Sequence, residues 1–164
     1  NTYGAWKHFN TDGLVTGGVR GEQTRGCKPY PDHFKENQTF HCVDHCENPD
    51  YPISYKEDLH FGQSFYKLPK DEATIMADIF TNGPVNVAYH ASSQKDENGI
   101  RYCDEHHDGV NHAVRVIGWG EIDGTKYWLA ANSWGKHFGD GGLFKVKKGS
   151  CRVESFVVAG IPRV

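Results

Sequence analysis

The sequence predicts a protein of mixed helix and strand, and three stretches carry that prediction. Residues 71–80 have the apolar spacing of an amphipathic helix, which Asn82-Gly83-Pro84 ends. Residues 85–89 alternate Val, Val and Tyr with Asn and Ala, which is typical of a β-strand. Residues 112–132 hold two apolar runs joined by Asp123-Gly124, a strong signal for a β-hairpin.

The N-terminal third is predicted to hold the end of a helix followed by loops. Within residues 3–9, Trp6 and Phe9 are three apart and share one helical face. Residues 27–52 are rich in proline and have no apolar period, which predicts a loop region. The helix at 71–80 has an apolar stripe that core packing explains without a ligand, formed by Ile75, Met76, Ile79 and Phe80.

The C-terminal half is predicted to supply the remaining strands. Residues 142–146 and 156–161 have strand character. Residues 91–108 are polar and irregular and contain Cys103-Asp104-Glu105-His106-His107-Asp108. That run suggests a metal cluster, but the side chains of adjacent histidines diverge on any regular backbone, so we expect a solvated loop and no metal.

Composition excludes several classes of function. The 164 residues are 37% apolar with a net charge of -3, which gives no reason to expect nucleic-acid binding. The longest basic run, Lys145-Val146-Lys147-Lys148, is more simply a solvated strand end. No apolar run approaches the length of a membrane span, and Asn1 begins no signal peptide. We therefore expect either a removed leader or a chain that starts within a longer protein.

The predicted hairpin holds the candidate catalytic residues. His112 opens its first strand and Asn132 closes its second, so the two side chains should lie side by side. An Asn oxygen that accepts from one imidazole nitrogen leaves the other free to act as a base toward a third group. Trp134 follows closely and can cover that hydrogen bond. The alternative is that His112 and Asn132 merely end two strands.

The motifs around this hairpin resemble the papain-like cysteine peptidases, and in particular the cathepsin B type. The motifs that carry the resemblance are Asn111-His112-Ala113, Gly118-Trp119-Gly120, Asn132-Ser133-Trp134-Gly135, Gly139-Asp140-Gly141-Gly142, Gly26-Cys27-Lys28-Pro29-Tyr30, Asn82-Gly83-Pro84-Val85 and the stretch 154–163. The resemblance implies an α+β fold, with residues 1–65 as the end of a helical left domain and 66–164 as a right β-barrel domain. It also implies catalytic roles for His112 and Asn132, support of that pair by Trp134, and backbone contacts of Asn111 with substrate.

The family's nucleophile is expected outside this chain. In the family, a Cys in a Cys-Gly-Ser-Cys-Trp-like motif and an oxyanion-hole Gln precede the stretches seen here, and none of the five cysteines has that context. The resemblance therefore implies a heavy chain whose partner, a light chain, carries the nucleophile. No cofactor is implied, and the expected partners are peptide or protein substrates and a propeptide or cystatin-type inhibitors.

The odd number of cysteines fits a disulfide to another chain. By resemblance, Cys27 pairs with Cys46, and Cys42 bonds a segment outside this chain. Cys103 and Cys151 correspond to a disulfide of the cathepsin L type. The alternative is a reduced cytosolic protein, against which the glycosylation sequon at Asn37 argues because glycosylation needs the secretory route. The expected location is therefore lysosomal or extracellular.

A shortened loop bears on the type of activity. In cathepsin B an occluding loop fills one end of the cleft, and its paired histidines hold the substrate's C-terminal carboxylate. Only the eleven residues 31–41 lie between Tyr30 and Cys42, and neither His33 nor His41 matches that pair. The resemblance therefore implies a cleft open at both ends and endopeptidase action, with little or no exopeptidase activity.

One position bears on specificity. In cathepsin B the second acidic residue of a Glu-Ser-Glu triplet lies at the bottom of the S2 pocket and accepts Arg, whereas this chain has Glu154-Ser155-Phe156. Phe156 cannot neutralise a cation, so we expect bulky apolar residues at P2, with Ala113 as a pocket wall. Phe138 and Arg152-Val153 also depart from the family pattern but remove no catalytic group. A non-catalytic homologue that binds or scaffolds other proteins is the alternative function.

Overall fold

The computed structural model describes residues 1–18, 24–30, 42–104 and 109–164. These residues form two helices and seven strands. The elements are α1 (Thr2–Thr11), β1 (Gly62–Leu68), α2 (Glu72–Asn82), β2 (Val85–Tyr89), β3 (Ile100–Arg101), β4 (His112–Ile122), β5 (Thr125–Ala131), β6 (Leu143–Lys147) and β7 (Phe156–Pro162).

The seven strands form one sheet in the order β1-β7-β2-β4-β5-β6-β3. All neighbours are antiparallel except β3 and β6, which run parallel. One face of the sheet packs into a core under α2, whose larger members are Val87, Tyr89, Val114, Val116, Trp128 and Val157. On the other face α1 packs so closely that a Cβ on Gly160 would lie 2.4 Å from the Trp6 ring.

The predicted hairpin is present as β4 and β5. Asp123 has φ 49° and Gly124 has φ 77°, so both turn residues are left-handed. Two left-handed residues define the turn that matches the twist of a two-residue hairpin, and Asp-Gly suits it best. The ladder shifts register between Val116 and Gly118, which alters the alignment of the two strand ends by one residue.

The predicted helix is α2, and one member of its stripe is misplaced. The Asp71 carboxylate accepts from the Thr74 backbone N–H at 2.7 Å and caps the helix. Ile75 and Ile79 are buried, but Phe80 is 85% exposed, so its assignment to the apolar stripe was wrong. Phe80 follows Ile79 by one residue, which rotates it about 100° around the helix axis and away from the sheet.

Two strands escaped the sequence analysis. β1 has no regular apolar alternation, and its pairing with β7 along six positions supplies the order that its sequence does not signal. β3 is only two residues long and lies within the stretch expected to be a solvated loop. The expected domain boundary between residues 65 and 66 falls inside β1.

Two disulfides join parts of the loop regions. The Cys27–Cys46 and Cys103–Cys151 pairs are both bonded, and Cys42 is an exposed free thiol. Since Cys103 is in a disulfide, it offers no thiolate to a metal; the rest of that run, from Glu105 to Asp108, lies outside the described residues. The same holds for Asn37, His33 and His41. In the part of the chain that the structure describes, no helix has the length and apolar character needed to cross a membrane.

Candidate active site

The His112 and Asn132 side chains meet at one end of the sheet. His112 is the first residue of β4 and Asn132 follows the last residue of β5. The imidazole Nε2 lies 2.9 Å from the Asn132 Oδ1. Because a carbonyl oxygen only accepts, Nε2 donates this hydrogen bond. A neutral imidazole with its proton on Nε2 has a lone pair on Nδ1, so Nδ1 is the atom available to a third group.

Two hydrogen bonds hold Asn132 in place besides the one to His112. Its Oδ1 also accepts from the Ser133 backbone N–H at 2.8 Å, and its own backbone N–H donates to the Gly142 carbonyl at 2.9 Å. Within the described residues, the Asn132 Nδ2 is buried without a hydrogen-bond partner. A buried donor without a partner costs about 1–3 kcal/mol. The amide orientation that bonds His112 therefore leaves one Asn132 donor unsatisfied.

Trp134 covers the imidazole as the sequence suggested. Its ring stacks on His112 with centroids 4.7 Å apart and an angle of 27° between the planes. The indole remains 47% exposed, so one of its faces contacts the imidazole while much of the ring stays accessible. Its edge contacts Phe138 at a centroid distance of 4.9 Å. Excluding water from one side of His112 strengthens the hydrogen bond to Asn132.

Tyr89 provides the buried neighbour beneath His112. The two rings lie 5.9 Å apart, and Tyr89 pairs directly with His112 across β2 and β4. Burial raises the pKa of the Tyr89 phenol to about 12, although the positive charge of Arg101 opposes the shift. Tyr89 therefore stays neutral over the physiological range and gives the imidazole an uncharged neighbour.

Asn111 is exposed, as a residue that touches substrate must be, but its side chain is engaged locally. The Asn111 Oδ1 accepts from the Ala91 backbone N–H at 2.8 Å, and its backbone N–H donates to the Tyr89 carbonyl at 3.1 Å. Asn111 therefore joins the loop after β2 to the residue before His112.

Ala113 and Phe156 share one face of the sheet. Ala88 pairs with Ala113 on one side and with Phe156 on the other, and paired residues of neighbouring strands point to the same face. The sequence analysis missed Ala88, although its alternation with the buried Val87 and Tyr89 places it on the face opposite to the core. Phe156 is 50% exposed.

A cavity lies beside Phe156. It encloses about 400 Å³ between β1, β7 and the start of α1, and its lining includes Tyr3, Lys67, Ser155, Phe156 and Val158. The Lys67 ammonium lies 4.7 Å from the centre of the Tyr3 ring. Ala113 is not part of this lining, so the cavity is bounded by Phe156 and by α1 and not by the residue after His112.

The Glu154 carboxylate has a structural role. Its Oε1 accepts from the Trp128 indole N–H and from the Gly149 backbone N–H, both at 2.8 Å, and Glu154 is buried. The only acidic side chain of the Glu154-Ser155-Phe156 triplet is therefore turned into the core. Across the described ranges no group of three or more histidine, cysteine, aspartate or glutamate side chains is placed to hold a metal ion.

Comparisons with known proteins identify the family to which this chain is similar. The model of the papain family of cysteine proteases matches residues 2–161. A gut-specific cysteine proteinase of Caenorhabditis elegans is 39% identical over 98% of this chain, which spans 51% of that protein. Cathepsin B-like cysteine proteinase 3 of Ostertagia ostertagi is 37% identical over 96% of this chain and 99% of its own sequence.

A solved structure of proCathepsin B S9 from Trypanosoma congolense superposes with a TM-score of 0.73 at 26% identity, covering 98% of this chain and 52% of that one. The fold is thus the papain-like α+β fold, with one seven-stranded sheet and few helices. The chain spans about half the length of the Caenorhabditis elegans relatives that it matches.

Proposed function

Because the chain belongs to the papain family of cysteine proteases, we propose that it supplies the base of a cathepsin B-like cysteine endopeptidase whose nucleophile lies on a separate light chain. The observation that carries this proposal is the 2.9 Å hydrogen bond between His112 and Asn132 under the Trp134 ring. It leaves Nδ1 of the imidazole directed to a group that the described residues do not supply.

The proposed reaction is acyl transfer from a peptide bond. A cysteine thiolate attacks the carbonyl carbon, the C–N bond breaks, and His112 donates a proton from Nδ1 to the leaving amine. Water then attacks the thioester while His112 accepts its proton, and the carbon–sulfur bond breaks to release the acid and the thiolate. A free cysteine has a pKa near 8.5, so the positive charge of the imidazolium is needed to favour the thiolate at neutral pH.

Asn132 suits this mechanism because its side chain is neutral. In the proposed mechanism the cysteine thiolate and the His112 imidazolium already carry opposite charges before substrate binds. Asn132 therefore needs only to orient the imidazole. The bond from Ser133 fixes the Asn132 oxygen, and Trp134 limits access of water to it. Each contact keeps the Nδ1 proton directed at one point, which is what proton transfer requires.

The cysteine inventory supports a second chain. Four of the five cysteines form two disulfides within this chain, and Cys42 is exposed and free among the described residues. We propose that Cys42 bonds the light chain and that the light chain carries the nucleophile. Residues 1–65 would then complete a helical domain and residues 66–164 would form the barrel domain. A propeptide or a cystatin-type inhibitor would occupy the cleft between them.

The disulfides also support a place in the secretory system. Stable disulfides form in oxidising compartments and are rare in the cytosol, which favours a lysosomal or extracellular enzyme. The sequon at Asn37 points the same way. The endopeptidase assignment rests on the short stretch between Tyr30 and Cys42, which leaves little chain to close the cleft.

The pocket beside Phe156 supports an apolar P2 residue. The cavity offers an aromatic wall from Phe156, and the Lys67 ammonium at its edge repels a cationic side chain. Glu154 is buried and bonded elsewhere, so it cannot accept an arginine in this cavity. We therefore propose that Leu or Phe is preferred at P2 and that Arg is disfavoured.

The test is the intact mass of the full protein, measured before and after reduction, following incubation with an epoxide that traps activated thiols. A second polypeptide that carries the epoxide and is released by reduction supports the proposal. A second polypeptide that stays unlabelled favours the alternative, a non-catalytic homologue that binds other proteins. A single 18.4 kDa species would refute the two-chain arrangement.

A further inference from the structure

An unbroken series of ring contacts runs from His112 to a buried edge of the sheet. Trp134 stacks on His112, and the edge of Trp134 meets Phe138 at 4.9 Å. Phe138 in turn meets Phe144 edge to face at 5.5 Å. The series ends on Arg101, whose guanidinium carbon lies 5.0 Å from the centre of the Phe138 ring and 5.8 Å from that of Phe144.

The segment that carries Trp134 turns at several glycines. Gly135, Gly139, Gly141 and Gly142 all have positive φ, a conformation that glycine adopts without steric cost. Backbone hydrogen bonds, such as the one from the Phe138 N–H to the Gly135 carbonyl at 3.3 Å, hold these turns. The indole itself is half-exposed, and Phe138 is the side-chain neighbour that its edge contacts.

Arg101, in contrast, is held firmly. It belongs to β3 and pairs with Val146 of β6. Its Nη1 donates to the Ser92 carbonyl at 2.6 Å. Two residues later, Cys103 is joined to Cys151 by a disulfide. The guanidinium is thus a fixed cation with a flat face, which suits stacking on an aromatic ring.

We propose that Arg101 is a positioning residue for the catalytic histidine. Its guanidinium holds the Phe138 ring, Phe138 holds the edge of Trp134, and Trp134 keeps the imidazole of His112 in the plane that bonds Asn132. Arg101 does not touch the substrate or the reacting atoms. The inference rests on the proposed function for its effect on activity, but the placement of Trp134 over His112 can be measured without activity.

The kinetic test compares Arg101→Met with Arg163→Met in the full protein. The Arg163 guanidinium also lies over a phenylalanine, at 5.6 Å from the centre of the Phe61 ring, but at the far end of the chain. From the range of cation–π energies, we expect Arg101→Met to lower kcat by about three- to tenfold with KM little changed. Arg163→Met should leave both constants unchanged. An unchanged kcat in Arg101→Met, or an equal loss in both variants, would overturn the proposal.

Arg101→Lys and a double variant separate positioning from charge. Lysine keeps the charge but lacks the flat face, so Arg101→Lys should recover less than half of the lost kcat. Phe138→Leu should lower kcat on its own, and adding Arg101→Met to it should cost little more because both act through one contact. Full recovery by lysine, or additive losses, would count against a role through Phe138.

The third readout needs no turnover. The ring current of the Trp134 indole shifts the NMR signals of the His112 ring protons upfield. Arg101→Met should reduce that upfield shift, whereas the Arg163→Met control should keep it. If the wild-type protein has no peptidase activity, the proposed function fails, yet this shift still decides whether Arg101 positions the indole. An upfield shift that is the same in wild type and Arg101→Met would refute the placement.

Discussion

At the scale of single residues, the Asn132 oxygen is the acceptor of the hydrogen bond from the His112 imidazole. The Asn132 Oδ1 lies 2.9 Å from Nε2, and no other described side chain bonds that nitrogen. Replacing Asn132 by Ala should leave the imidazole free to rotate and should lower kcat by about ten- to hundredfold, because small misplacements of a reacting group are costly. Steady-state kinetics of the full protein on a peptide substrate measures the loss.

Ser133→Ala is the matched control. Ser133 contributes its backbone N–H to the Asn132 oxygen, and its exposed hydroxyl contributes nothing to that bond. Its replacement should leave kcat unchanged. If Asn132→Ala retained full kcat, the orienting role assigned to this side chain would be wrong, whatever the nucleophile proves to be.

Phe156 lines the neighbouring cavity, and we expect it to set the charge that the cavity accepts. The cavity has no free carboxylate in its lining, and Lys67 adds positive charge at its edge. Phe156→Glu places a carboxylate where the aromatic ring now lies. A charge-assisted hydrogen bond contributes about 1.5–3 kcal/mol, so kcat/KM for a substrate with Arg at P2 should rise about tenfold or more relative to one with Leu.

The control for that change is Phe80→Glu, since Phe80 is 85% exposed on α2 and lines none of this cavity. Phe80→Glu introduces the same charge without altering the pocket. The ratio of kcat/KM for the Arg substrate to kcat/KM for the Leu substrate should therefore stay as in wild type. Wild-type cleavage of Arg at P2 as fast as Leu or Phe would refute the assignment of Phe156 to this subsite.

At the scale of elements, Asp58 ties the loop region to the start of the chain. The Asp58 Oδ2 accepts from the Thr16 backbone N–H and hydroxyl at 2.7 and 2.8 Å, and Oδ1 accepts from the Tyr51 hydroxyl at 2.7 Å. Burial alone raises the pKa of this carboxyl, but these three hydrogen bonds outweigh it and the pKa is lowered. The charged form is therefore the one that the fold stabilises.

The sign of the pH dependence follows from that lowered pKa. The carboxyl binds a proton more readily in the unfolded chain, near pH 4, than in the folded one. Its stabilising contribution is present above pH 4 and is lost as the pH falls through the lower folded value. At pH 7, Asp58→Asn should reduce the free energy of unfolding by about 2 kcal/mol, and the difference from wild type should shrink toward pH 3.

Denaturant unfolding at several pH values checks this expectation, with Asp50→Asn as the control. Asp50 is an exposed aspartate of the same loop region and accepts none of these bonds. Its replacement should change stability little at any pH. A difference between Asp58→Asn and wild type that stayed constant from pH 7 to pH 3 would contradict the lowered pKa.

Local sequence signals anticipated the elements whose contacts are local. The hairpin followed from Asp123-Gly124, and α2 followed from its apolar spacing and from Asn82-Gly83-Pro84 at its end, because each depends on residues a few positions apart. β1 and β3 did not, because their order comes from pairing with β7 and β6, which lie far along the chain. Phe80 was misassigned because it lies about 100° around the helix axis from the buried Ile79, on the side away from the sheet.

The candidate site divides in the same way. His112 and Asn132 were predicted because a hairpin brings its own ends together. Ala88 was missed because its proximity to Ala113 and Phe156 depends on the pairing of β2 with β4 and β7. The contact of Arg101 with Phe138 was likewise invisible, since it depends on the parallel pairing of β3 with β6.

At the scale of the whole molecule, one disulfide ties the edge strand β3 to the segment between β6 and β7. Cys103 follows β3, the last strand in the order, and Cys151 lies between β6, which neighbours β3, and β7, the second strand. The Cys151 carbonyl also accepts from the His90 backbone N–H, just after β2. The disulfide therefore holds the end of β3 beside that segment and, through Cys151, near the end of β2.

The lengths of the chain segments that the two disulfides enclose predict that the bonds differ in their contribution to stability. The Cys103–Cys151 bond spans 48 positions and the Cys27–Cys46 bond spans 19. If chain entropy dominates, removal should cost about 4 kcal/mol for the first and about 3 kcal/mol for the second. The paired variants are Cys103→Ala with Cys151→Ala and Cys27→Ala with Cys46→Ala, compared by denaturant unfolding of the full protein without reductant.

Activity separates the two variants further. Loss of the Cys103–Cys151 bond frees the end of β3, which carries Arg101, and this should lower kcat beyond what the loss of stability explains. The described hydrogen bonds of Cys27 and Cys46 are with loop residues such as Thr16, Glu47 and Ile53 and not with the rings around His112, so kcat under native conditions should be retained when that bond is lost. Equal kcat values in the two variants would show that the Cys103–Cys151 bond is not needed to hold the histidine in place.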